Sequence, residues 1–284
     1  MMEILKTDNM YQSNYSNVSI GELLKGNEKR LASFVGPRQS GSTTLINSVA
    51  KILAYRNIDV AILDMTKNKA FYYIYTQNKE AIRLKLKDCF KNLSEGKAEG
   101  LQIENNLTLY TNLPSEKKDD INDEKYDLNI DKLLETLLKK HQVVLIDSDF
   151  STNIDFFAYS QQIYIVQTMD ILTIQELTEF LSMLKIKNAL NDEKIRIILN
   201  KYIDLEEVSV KQIIENLAFY NDPSMSYMQQ LFEKNGSKYT TIPYSQQAYV
   251  MHLQDVAKYQ FSIPNESPTL LSQLESLAED VING

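Results

Sequence analysis

The residues from Arg30 to Asn47, RLASFVGPRQSGSTTLIN, hold the clearest chemistry in the chain. Gly36, four intervening residues, Gly41, Ser42 and Thr43 have the spacing of a phosphate-binding loop, G-x-x-x-x-G-K-[ST], except that Ser42 stands where the lysine belongs. Such a loop grips phosphate through backbone N–H groups and the N-terminus of the following helix, and neither needs a lysine side chain. Losing one charge-assisted hydrogen bond costs about 1.5 to 3 kcal/mol, or roughly 10- to 200-fold in affinity. A cation that stabilises phosphoryl transfer is worth roughly 10³-fold or more in rate. These residues therefore predict a loop that binds phosphate and performs little or no transfer. The other reading is a Gly/Ser-rich turn with no ligand.

Other side chains that could do chemistry lie just after apolar runs. Val143-Val144-Leu145-Ile146 ends in Asp147, whose carboxylate is placed to hold Mg²⁺ together with the Thr43 hydroxyl. A turn or capping role is the plainer alternative for Asp147. Asp64, Asn200 and Tyr244 likewise follow candidate strands.

Positioning them requires strands that alternate with helices. Leu31, Ala32, Phe34 and Val35 predict a strand ending at Gly36, and Leu45, Ile46, Val49, Ile52 and Leu53 predict a helix over Thr43–Tyr55. Further strands are expected at Val60–Leu63, Leu107–Tyr110, Val143–Asp147, Ile163–Val166, Ile195–Leu199 and a strand end at Thr241–Pro243. Helices are expected at Lys79–Phe90, Leu133–Lys140, Ile171–Ile186 and Pro268–Ile282, with a solvated loop at Asp119–Tyr126. The alternation implies a doubly wound α/β fold, a mainly parallel sheet with helices on both faces. Ligands of such sheets sit beyond the carboxyl ends of the strands, where the residues above fall. Residues 1–28 read as an N-terminal extension, packed or mobile, and 29–284 as one domain.

Composition narrows the classes. The formal net charge is −8, and after Lys201 only Lys211, Lys234, Lys238 and Lys258 are basic, which argues against a dedicated nucleic-acid binder. The single cysteine, Cys89, fits a reducing compartment and reads as a small buried hydrophobe or an incidental thiol rather than a nucleophile. His141 and His252 accompany no cysteine cluster, so a zinc site is not expected. Neither a spanning apolar run nor a signal-peptide core is visible, and a cytoplasmic location is expected.

In motif order, residues 30 to 260 resemble the MinD/ParA family of P-loop ATPases, most closely its divergent branch with the TadZ and CpaE pilus-assembly proteins. Gly36–Thr44 matches the Walker A loop, ILDMT at 62–66 the switch I strand end, and VVLIDSDF at 143–150 Walker B. ILNKYID at 198–204 looks like the adenine-contacting segment, and TIPYSQQA at 241–248 like the Ile-Pro turn against the base. The resemblance implies ATP and Mg²⁺ as cofactors. It assigns nucleotide binding to Gly36, Pro37, Arg38, Gln39, Ser40, Gly41, Ser42, Thr43, Thr44, Asn200, Pro243 and Tyr244, and metal binding to Thr43 and Asp147. Asp64 carries over as the one candidate for a catalytic role.

Three charged positions of the family pattern are changed: Pro37 replaces the signature lysine, Ser42 the P-loop lysine and Thr66 the second switch I aspartate. The implied protein is a degenerate ATP-binding switch with weak or no hydrolysis. It would form a nucleotide-dependent homodimer and position or assemble a bacterial surface machine, a pilus or secretion apparatus, through a protein partner. Recruitment to the inner face of the membrane or a cell pole goes with that role. A scaffold that keeps only the fold is one alternative; an active ATPase using Arg38 for the missing lysine is another. Lys67 and Lys69 are lesser candidates for that cation, or exposed turn lysines.

Two further segments are open to more than one reading. AFYYIYT at 70–76 is either an aromatic partner face or an element covering the sheet. The closing helix, with Leu270, Leu274, Leu277 and Val281 on one face and Glu275, Glu279 and Asp280 among its polar residues, reads as packed on the domain rather than membrane-bound.

Overall fold

The computed structural model describes residues 19–25, 28–77, 79–114, 128–170, 173–186, 194–206, 239–265 and 267–284. The first half runs α1 (Ile20–Leu23), β1 (Arg30–Val35), α2 (Ser42–Tyr55), β2 (Val60–Asp64), α3 (Ala70–Thr76), α4 (Glu80–Leu86), α5 (Cys89–Ser94), β3 (Leu101–Glu104) and β4 (Leu107–Tyr110). It continues with α6 (Ile130–Lys140), β5 (Val143–Ser148), α7 (Ile154–Tyr159), β6 (Gln162–Gln167), α8 (Ile174–Ile186), β7 (Ile195–Tyr202), β8 (Tyr239–Pro243), α9 (Gln246–Ala257) and α10 (Pro268–Asn283).

The strands form one eight-stranded sheet in the order β3-β4-β2-β5-β1-β6-β7-β8. All neighbours are parallel except β3 and β4. The central strands are covered on both faces, which is why they read as unbroken apolar runs rather than alternating ones. From β1 the chain winds to β2 on one side, and later reaches β6 on the other. The reversal opens a crevice at the carboxyl ends of β1 and β5. Register brings Asp147 level with Phe34 of β1 and with Asp64 of β2.

On one face α2 and α10 lay Leu45, Val49, Leu274 and Leu277 against Phe34, Leu145 and Tyr164. On the other, Leu133, Leu134, Leu137 and Leu138 of α6 join Phe90 against Leu31, Leu63 and Ile146. Each such side chain, fully buried, stabilises the fold by about 1.5–3 kcal/mol. Leu177, Phe180 and Leu181 of α8 cover Ile163 and Ile165. The closing helix packs on the domain: Tyr164 donates to Asp280 Oδ2 at 2.7 Å and Gln162 Nε2 to the Asp280 carbonyl at 2.9 Å. Among the described residues no helix is long and apolar enough to cross a membrane.

Several elements differ from expectation. The helix expected over Lys79–Phe90 is two: α4 stops at Leu86, and α5 restarts at Cys89 after Asp88, whose side chain makes no capping hydrogen bond. Leu86, Cys89, Phe90 and Leu93 are all buried, at the i, i+3, i+4, i+7 spacing of a single helical face carried across the break. β3, α7 and α9 are additions to the expected set. β3 and α7 are 4 and 6 residues long, and α9 buries only Asp255, so it has no apolar stripe to betray it. AFYYIYT is helix α3, with Phe71, Tyr72 and Ile74 buried and Tyr73 exposed, a cover for the sheet rather than an open aromatic face. Within the expected N-terminal extension, Ser19 caps α1 and Ile20 enters the core beside α6. Residues 1–18, the start of the expected 171–186 helix and the loop expected at 119–126 lie outside the described residues.

Candidate functional site

The loop that follows β1 is shaped by close backbone approaches. A Cβ on Gly36 would lie 2.4 Å from the Val166 carbonyl and 2.6 Å from Ser40 Oγ, so only glycine lets the chain pass there. Gln39 (φ 64°) and Gly41 (φ 90°) turn the backbone through the left-handed region, and Ser40 N donates to the Pro37 carbonyl at 3.1 Å. The end of β7 props the loop: Asn200 Nδ2 donates to the Ser40 carbonyl and Lys201 Nζ to the Gln39 carbonyl, each at 2.7 Å.

Beyond Gly41, α2 begins at Ser42 with no side-chain cap. First-turn N–H groups have no carbonyl partners within the helix, and the helix dipole adds partial positive charge at that end. The Ser40 hydroxyl, inside the loop, is buried and has no hydrogen-bond partner. These features fit an anionic group at the mouth of α2.

Asp147 faces that mouth. Thr43 Oγ1 donates to its Oδ2 at 2.7 Å and Ser42 Oγ to its Oδ1 at 3.4 Å. Burial, reinforced by the neighbouring Asp64 carboxylate, pushes the Asp147 carboxyl well above the usual range; the Thr43 and Ser42 hydrogen bonds and the Lys69 ammonium oppose the rise. A hydroxyl and a carboxylate joined at the start of a helix are the kind of donor set that holds Mg²⁺ in P-loop sites.

Asp64, level with Asp147 on the next strand, is committed differently. Its Oδ1 accepts from Thr66 N (3.1 Å) and Thr66 Oγ1 (2.6 Å), and its Oδ2 from Thr111 Oγ1 (3.1 Å). Arg38 is exposed and donates to Asn68 Oδ1 at 2.9 Å, within its own chain. Lys67 is exposed, while its backbone N–H binds Asp149 Oδ2 at 2.8 Å. Lys69 departs from an exposed turn lysine: its ammonium is folded inward onto the Asp64 carbonyl at 2.6 Å.

The loop, Ser42, Thr43, Asp147 and Asn200 thus meet in one place. In the expected base-binding turn, Pro243 stands opposite Tyr202 in the register of β7 and the outer strand β8. Tyr244 N donates to the Tyr202 carbonyl while its ring stays exposed. Thr111 and Asp149 escaped the sequence reading, although each follows a strand and the strand-end rule applied to β4 and β5 points to them. Cys89 is buried, and burial pushes its thiol up to about 12, which leaves it inert at neutral pH. A cavity of about 660 Å³ lined by Lys51, Tyr55, Glu104 and Phe261 lies at the far end of α2 from the loop.

Solved structures share this fold. A ParA family ATPase from Chlorobium tepidum TLS has a TM-score of 0.63 at 15% identity, over 89% of this chain and 99% of that one. A plasmid partition protein from Borrelia burgdorferi B31 bound to AMPPNP gives 0.58 at 16%, over 89% and 99%. The septum site-determining protein MinD from Pyrococcus horikoshii OT3, complexed with Mg-ADP, gives 0.54 at 15%, over 89% and 96%. No family model and no curated protein matches the sequence. The fold is that of the ParA/MinD P-loop NTPases.

Proposed function

We propose that the chain is a nucleotide-responsive switch that binds ATP and Mg²⁺ in the Gly36–Thr44 loop, dimerises when loaded, and hydrolyses slowly or not at all. The observation that carries the reading is the 2.7 Å contact between Thr43 Oγ1 and Asp147 Oδ2 at the uncapped start of α2. The AMPPNP and Mg-ADP bound to two proteins of this fold support it. Thr43 and Asp147 would hold Mg²⁺, which would supply neutralisation of the phosphate charge.

In this reading the α2 amides and the loop backbone bind phosphate, and Thr43 and Asp147 hold the metal. Asn200, Pro243 and Tyr244 flank the base. Slow turnover follows from residues already in place. Ser42 contributes a hydroxyl instead of an ammonium, Thr66 takes the position of the second switch aspartate, and Asp64 spends its oxygens on Thr66 and Thr111. A loaded dimer needs only that ATP bind it better than the monomer. By its motif resemblance to the TadZ/CpaE branch, its task is the positioning or assembly of a pilus or secretion apparatus from the cytoplasm, at the membrane's inner face or a cell pole, through a protein partner.

A scaffold that keeps the fold without the ligand is the second reading. It is favoured by the way Asn200 and Lys201 already hold the loop from within the chain. Titration with a fluorescent ATP analogue, with and without Mg²⁺, separates the two: the switch saturates and the scaffold does not. Phosphate release then measures turnover, and sizing with and without nucleotide tests the dimer.

A further inference from the structure

Asp64, Asp147 and Asp149 stand together at the carboxyl edge of β2 and β5, and the Lys69 ammonium is turned toward that edge, where their charges favour it against the cost of burial. Its Nζ donates to the Asp64 carbonyl at 2.6 Å and lies 4.9 Å from the centre of the Phe90 ring. To aim there, residue 69 adopts φ 48° and ψ 49°, a left-handed backbone that is uncommon outside glycine. The preceding loop is pinned residue by residue. Met65 N donates to the Asp147 carbonyl at 2.8 Å, Thr66 N to Asp64 Oδ1 at 3.1 Å, and Lys67 N to Asp149 Oδ2 at 2.8 Å.

Arg38 donates to Asn68, and Lys201 is engaged on the loop's own Gln39 carbonyl. A turn lysine ordinarily keeps its ammonium in water. Here the side chain is half-buried, and its ammonium binds the Asp64 backbone carbonyl beside the Phe90 ring.

We infer that Lys69 is the internal cation of the site, supplying within the chain the positive charge that Ser42 does not, so that a nucleoside triphosphate can approach Asp147. The inference rests on the nucleotide-binding reading above. A polyanion brought up to three carboxylates is repelled by each of them, and at protein-like dielectric those repulsions are large against thermal energy. An ammonium turned toward that edge offsets the repulsion. Its effect must grow with the ligand's charge, which separates it from a packing role.

The test compares Lys69→Gln, Lys69→Arg and Lys67→Gln in titrations with ATP and with AMP, with and without Mg²⁺. Lys69→Gln is expected to weaken ATP by about 10-fold or more and AMP by much less, with the larger loss in the absence of Mg²⁺. Lys69→Arg keeps most of the affinity, and Lys67→Gln, at an exposed site, stays within about twofold of wild type. If Lys69→Gln fails to fold, the charge-balanced pair Lys69→Gln with Asp149→Asn carries the test and is expected to bind ATP within about threefold of wild type. Equal ATP affinity in Lys69→Gln and wild type, equal losses for ATP and AMP, or no binding by the folded pair overturns the inference and leaves the nucleotide reading standing. A wild-type chain that binds no nucleotide removes both.

Discussion

Asp64 and Asp147 stand opposite one another in the register of β2 and β5, both fully buried, and their carboxylates serve different structures. Asp64 builds the loop that follows its own strand, through Thr66 and Thr111. Asp147 reaches across to the mouth of α2, through Thr43 and Ser42. One carboxylate is committed to its own loop while its neighbour faces the uncapped start of α2.

Asp147→Asn should raise the stability of the ligand-free protein and abolish the effect of Mg²⁺ on nucleotide binding. The folded-state pKa of Asp147 lies above its unfolded value, so the unfolded chain binds fewer protons between the two. Stability from this group is therefore lost as pH rises through that window, and at pH values above the unfolded carboxylate's range the buried group weighs against the fold. The amide keeps an acceptor for Thr43 and removes the buried charge. A gain of about 1 kcal/mol would appear as a rise of roughly 2–4 °C in Tm, read by thermal melts at pH 7.

Gly36→Ala should destabilise the fold by about 1–3 kcal/mol, because the added methyl meets a backbone carbonyl that has no room to withdraw. The contact would be 2.4 Å to Val166 O. Chemical denaturation measures the loss, and an unchanged midpoint would show that the loop backbone is not held as described.

Asp64→Ala leaves Thr66 N, Thr66 Oγ1 and Thr111 Oγ1 without their acceptor. Each unsatisfied buried donor costs about 1–3 kcal/mol. The expected result is a marked fall in stability and faster hydrogen exchange at residues 65–69.

His141 is buried in a relay in which its Nε2 pairs with Tyr110 OH at 2.8 Å and its Nδ1 with Asp59 Oδ1 at 3.0 Å. Burial lowers its pKa, against the pull of Asp59, so the folded protein resists protonation. Below a pH of about 6.5, where an unfolded histidine takes up a proton, stability should fall; above it, this group adds no pH dependence. Denaturation midpoints between pH 5 and 8 should show the fall in the wild type and a smaller one in His141→Gln.

Much of this is legible in the chain. The central strands announce themselves because burial on both faces demands continuous apolar residues, and the loop declares itself through Gly36 and Gly41, whose spacing a backbone turn requires. Asp147 is visible as the residue just past the most apolar run. The inward turn of Lys69 is hidden, because it depends on a left-handed backbone at residue 69 and on carboxylates contributed by two different strands. The role of Asn200 as a prop for Ser40 is hidden for the same reason: 160 residues of chain separate the partners. The division of Lys79–Phe90 into two helices is hidden because Leu86, Cys89, Phe90 and Leu93 keep the apolar spacing of one continuous helix.

The most direct measurement is the affinity of the wild-type chain for ATP, by titration of a fluorescent analogue with Mg²⁺ and with a chelator. The switch predicts saturable binding that tightens when Mg²⁺ is present and loses that response in Asp147→Asn. No saturable binding at millimolar nucleotide, under either condition, would contradict it.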